Sequence, residues 1–151
     1  MYPIEDSFAL IKIIHMFVSV TFLVMAIWLF VRSYRGYFKG KPYTRLDKIL
    51  SFGYLISLYL QLILGFILFS NLGSSLGYNY LGDAHSMKMV SKRLWPVEHI
   101  VMMLFALFIA NLGLIISINT KSDKNKYKNT IIYYSISLLL ILISLSVIYL
   151  F

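Results

Sequence analysis

The sequence predicts an all-α integral membrane protein: a four-helix bundle threaded up-down-up-down. Three observations lead there. The 151-residue chain is 60% hydrophobic and only 13% charged, with a mean hydropathy of +0.79; a soluble domain is nearer half apolar and a quarter charged. Four uncharged stretches, 13–31, 49–69, 100–120 and 130–151, each hold about 20 residues, the length an α-helix needs to cross ~30 Å of hydrocarbon. Basic residues gather in two of the three connections, the first and the third. The spacing predicts one transmembrane domain over 1–151, with spans at about 9–32, 49–69, 94–118 and 130–151.

The first helix is expected from Ser7, a plausible N-cap, to about Tyr34. Glu5 and Asp6 stand where a signal peptide would be basic, which argues against a cleavable leader. Gly36, Gly40 and Pro42 are expected to break the helix and form the first connection. Thr44 or Ser51 then starts the second span. The segment 70–92 is the longest connection, with a short interfacial helix expected near 84–90. Trp95 reads as an interface anchor, and Pro96 as the first turn of the third helix, where its missing N–H is harmless. Glu98 follows in that turn, favourable to the helix dipole. Asn119 to Asn129 is expected to be the last connection.

Two faces read as packing seams. Gly53, Ser57, Gln61 and Gly65 recur every four residues on the second helix. His99, Met103, Ala106, Ala110, Gly113 and Ser117 follow one stripe of the third. Small residues let membrane helices approach closely. Ser137 and Ser144 on the fourth helix are expected to bond to their own backbone.

The net charge of +8 has a topological explanation, and nucleic acid is not implied. Residues 32–48 hold Arg32, Arg35, Lys39, Lys41, Arg45 and Lys48 against Asp47; residues 121–128 hold four lysines against Asp123. By the positive-inside rule both connections face the cytoplasm and both termini lie outside. The expected location is the bacterial cytoplasmic membrane, with the lipid bilayer as first partner. Cysteine is absent, which excludes disulfides, thiolate metal sites and thiol catalysis.

His15 and His99 carry the functional reading. An ionisable side chain inside a bilayer is a functional-site hypothesis by default. Counting from the outer boundary, both lie roughly 8 Å deep, and Gln61 roughly 13 Å. Paired imidazoles from facing helices suit the iron of a b-type haem, and Lys12 and Arg93 are placed to meet its propionates. Gln61 or Ser19 is a candidate partner for a ring nitrogen. Glu98 beside His99 has no second histidine four residues on, so a metalloprotease motif is not supported. His85 reads as a solvated loop residue.

The run Arg93-Leu-Trp-Pro-Val-Glu98-His99-Ile-Val-Met-Met103, with Gln61-Leu-Ile-Leu-Gly65 and His15 near the start, resembles small four-span bacterial membrane proteins labelled cytochrome-b-like. The resemblance covers nearly the whole chain, including the Asp47-Lys48 pair. It implies haem binding and electron transfer, with other membrane subunits and a quinone as partners. Such proteins often carry a histidine two residues before the glutamine, where this chain has Tyr59, so His15 and His99 remain as the pair. Two other readings stand beside it. One is a non-catalytic accessory subunit with structural histidines. The other is a proton or metal-ion pathway through His15, Gln61, Glu98 and His99.

Overall fold

A computed structural model describes residues 3–75 and 87–150, with side chains at 9–70 and 97–146. Four helices fill these residues: α1 (Pro3–Lys39), α2 (Arg45–Ser75), α3 (Met87–Asn119) and α4 (Asp123–Leu150). The chain is a multi-pass membrane protein built as an all-α four-helix bundle. α1 packs on α2 and α4, and α3 packs on the same two helices, so α1 and α3 are diagonal. Phe17, Val24, Ile27, Phe105 and Phe108 are exposed on the outside, an apolar surface that fits lipid and not water.

The helices outrun the expected spans. α1 has 37 residues, roughly 55 Å at 1.5 Å per residue, well beyond the hydrocarbon thickness. It opens at Pro3, whose fixed φ suits a first turn; Ser7, expected as the N-cap, lies inside the helix. Gly36 does not break it. The glycine is buried in the last turns, and a Cβ there would collide with the Tyr127 ring. The stop is Gly40, with φ +61°. Lys41 N–H bonds back to Gly36 C=O at 3.1 Å, the wider bond of a Schellman cap.

α2 starts where Thr44 allows. Its carbonyl accepts from Asp47 N–H at 3.1 Å, and Asp47 Oδ2 accepts from Thr44 N–H at 2.7 Å. This is the reciprocal half of a capping box. α3 begins nine residues before Pro96, so the proline sits in the helix interior and withholds one N–H from the ladder. Residues 87–90 form the first turn of α3, with no separate interfacial helix there; 84–86 lie outside the described residues, as does His85. α4 starts at Asp123, so the last connection is only 120–122. Lys124, Lys126 and Lys128 therefore stand on a helix.

The α3 seam is as expected: Met103, Ala106, Ala110, Gly113 and Ser117 are buried in line below half-buried His99. The α2 seam is rotated. Leu50, Tyr54, Leu58 and Gln61 face the core, while Gly53 and Ser57 flank it. The reason is bulk: the aromatic and leucine side chains fill the centre, where the Tyr54 ring meets Phe22 tilted and Tyr134 edge-on, at 4.6–4.7 Å between centroids. Gly53 instead receives Met25 from α1.

Candidate functional site

The buried polar groups fall into three levels. The lowest, at the basic end, centres on Asp47. Its carboxylate accepts from Arg32 on α1, from Thr44 Oγ1 at 2.6 Å and from Tyr127 on α4 at 3.0 Å. Tyr127 also reaches Pro42 C=O at 3.0 Å. Five donors around one carboxylate make a saturated structural clamp.

The middle level joins α2 and α4. Tyr134 O–H donates to Ser51 C=O at 3.2 Å, and Tyr54 O–H to Ser137 Oγ at 3.2 Å. Ser137 thus bonds across helices, contrary to the expectation that it serves its own backbone. The bond from Tyr134 ends on a backbone carbonyl, which accepts but cannot relay a proton. Leu58 and Ile141, both buried, then close the column.

The level farthest from the basic end holds the candidate site. Ser51 with Tyr134 and Tyr54 with Ser137 are each 83 residues apart. α2 and α4 run parallel, so the same offset sets Gln61 at the level of Ser144. Ser144 Oγ lies 2.6 Å from His99 Nδ1, and Gln61 Nε2 donates to His15 C=O at 3.0 Å. Each helix therefore brings a polar residue to one level: His15 and Ser19 from α1, Gln61 from α2, His99 from α3 and Ser144 from α4.

Around His15 the bonds interlock. Ser19 Oγ donates to His15 C=O at 2.8 Å and accepts from Gln61 Nε2 at 2.8 Å. Gln61 is 5% exposed, yet its Oε1 and the buried Nδ1 of His15 have no partner among the described residues. The His15 ring lies over Gly65, whose hypothetical Cβ would sit 3.9 Å from His15 Cε1. His15 and His99 are both half-buried.

The remaining expectations divide. Lys12 is exposed on α1, one turn from His15 toward the chain start, and Glu98 is exposed on α3. The side chain of Arg93 lies outside the described residues. Tyr59 stays out of the site and meets Asn111 at the α2–α3 surface, Asn111 Nδ2 donating to its hydroxyl at 3.1 Å. Ser144 and the Asp47 clamp escape a sequence reading because their partners sit 45 and 80 residues away. No group of three His, Cys, Asp or Glu side chains comes together among the described residues. Compared with known protein families, curated proteins and solved structures, the chain matches none.

Proposed function

We propose that this chain is a haem-binding electron-transfer subunit of the bacterial cytoplasmic membrane, with a b-type haem between His15 and His99. The observation that carries the reading is that diagonal helices bring two imidazoles to one level of an apolar bundle. The residues present fit the group. The polar neighbours described at that level, Ser19, Gln61 and Ser144, are neutral, and the His15 ring lies over Gly65. His15 and His99 would hold the iron, with Ser144 orienting His99 through Nδ1. Lys12 stands on the side where propionates would reach water, a role the sequence also suggests for Arg93. When bound, haem supplies a one-electron couple; the chain supplies ligation, orientation and an apolar wall.

The two basic connections lie at one end of the bundle, which supports placing that end in the cytoplasm and the histidines in the outer half. Electrons would then pass between a quinol pool or a neighbouring subunit and an outer acceptor. The test is an absorption spectrum of the purified protein, oxidised and dithionite-reduced; low-spin b-type bands are expected. A second reading, an accessory subunit with structural histidines, is favoured by the His99–Ser144 bond, which by itself joins two helices. Protein free of haem from a haem-replete host selects that reading.

A further inference from the structure

All of the net charge sits at one end of the bundle. Residues 32–48 and 121–128 hold ten cations and two carboxylates. The rest of the chain is balanced, with Lys12, Lys88, Lys92 and Arg93 against Glu5, Asp6, Asp83 and Glu98. Both carboxylates at the basic end are taken, Asp47 by Arg32 and Asp123 by Lys126. The other eight cations there are all exposed and have no carboxylate partner among the described residues. An orientation signal needs only a surplus of Lys and Arg; it does not need the arrangement found here.

Six of the eight form like-charge pairs on outward helix faces. Arg35 and Lys39 stand about one turn apart on α1, Arg45 and Lys48 on α2, and Lys124 and Lys128 on α4. Like charges at this spacing repel. Beneath each pair the same face continues as exposed apolar side chains: Val31, Trp28 and Val24 on α1, Ile49, Phe52 and Ile56 on α2, and Ile132, Ile136 and Leu139 on α4. Aromatic rings hold two of the cations at this edge. Lys124 Nζ lies 5.3 Å from the Tyr37 ring centroid and Lys48 Nζ 6.0 Å from that of Phe52. A soluble polyanion would meet the charges and leave the stripes below them bare. A lipid meets both.

We infer that each pair seats the phosphate of an acidic phospholipid, whose acyl chains lie along the apolar stripe beneath. The phosphate supplies the negative charge that the chain withholds there, and relieves the repulsion within the pair. A zwitterionic headgroup brings its own cation and does not. The partner is the leaflet that meets the basic end, whichever side of the membrane that is, and no haem is required.

Trp28 reports on the α1 face. It lies seven residues from Arg35 and eleven from Lys39, about two and three turns, and so directly below both. The experiment uses the full chain with Trp95→Phe, which leaves Trp28 as the sole tryptophan. The protein is placed in nanodiscs of phosphatidylcholine mixed with phosphatidylglycerol. The acyl chains of one lipid at a time are brominated, and bromine quenches tryptophan fluorescence on contact. At equal mole fraction the brominated phosphatidylglycerol is expected to quench more, reporting about fivefold or greater enrichment at low salt, the worth of one cation near an acidic surface. Added salt should shrink the preference. Arg35→Gln combined with Lys39→Gln should bring the ratio near unity, whereas Lys12→Gln, toward the other end of α1, should leave it unchanged. Equal quenching by the two lipids before the charges are removed overturns the inference, and leaves these cations to orientation or to a soluble polyanion. A preference that ignores salt overturns it without any variant, and so does one that survives the double substitution.

Discussion

Tyr127 on α4 donates its hydroxyl to Asp47 on α2 at 3.0 Å, inside the apolar bundle and next to the Arg32 guanidinium. Asp47 is 1% exposed. A buried carboxylate is tolerated only when its lone pairs are filled, and here α1, the Thr44 cap of α2 and α4 each contribute donors. The clamp therefore ties three helices together at the basic end.

Removing one donor leaves the charge under-compensated. Arg32→Ala should destabilise the protein by about 3 kcal/mol, the low end for a broken buried pair because Arg32 is partly exposed. Tyr127→Phe should cost about 1–2 kcal/mol, one hydrogen bond to a charged group. Thermal unfolding in detergent, compared at matched micelle composition, checks both. An unfolding midpoint unchanged in Arg32→Ala would show that the clamp does not hold the bundle.

Close helix approach makes a second set of outcomes. Gly36→Ala forces a methyl into the Tyr127 ring, and Gly113→Ala drives one into Tyr133. Both should lower the yield of folded protein, by about 1–3 kcal/mol of overpacking each. Gly65→Ala makes only ordinary contact with His15 and should fold. Size-exclusion profiles of the three variants separate these cases; equal behaviour would contradict the packing.

The ligand pair makes the boldest outcome. His15→Ala and His99→Ala should each abolish low-spin absorbance, and residual haem should turn high-spin because one coordination position opens. His85→Ala should leave the spectrum intact. Ser144→Ala should keep both ligands but retain haem about tenfold less well, since it frees the His99 ring from its orienting partner. Loss of low-spin bands in His85→Ala would reassign a ligand.

Orientation is tested on single cysteines, against a background that has none. Lys39→Cys and Lys128→Cys should resist an impermeant thiol reagent in intact cells, and Asp83→Cys should react. The reverse pattern would place the basic end outside and the histidines in the inner half.

Much of this molecule is written locally. Four apolar runs of bilayer length require helices, because a spanning segment must satisfy its backbone internally. The α3 seam was legible because its small residues repeat at helical spacing. Helix ends were less so. Ser7, Gly36 and Pro96 carry the right chemistry for boundaries, yet the helices run through them. Gly36 shows why: its smallness answers a tyrosine 91 positions later, and no local rule contains that.

The sequence by itself determined the fold class, the helix number and the basic asymmetry, since each follows from length, hydropathy or the placing of charges. The tertiary structure decided which side chains meet. It rotated the α2 seam so that Tyr54 and Leu58 face inward, gave Ser137 and Ser144 partners on other helices, and gathered Arg32, Asp47 and Tyr127 from three. The physical reason is that rotation about a helix axis and register between helices are set by close packing across the bundle. That depends on the volumes of side chains far apart in the chain.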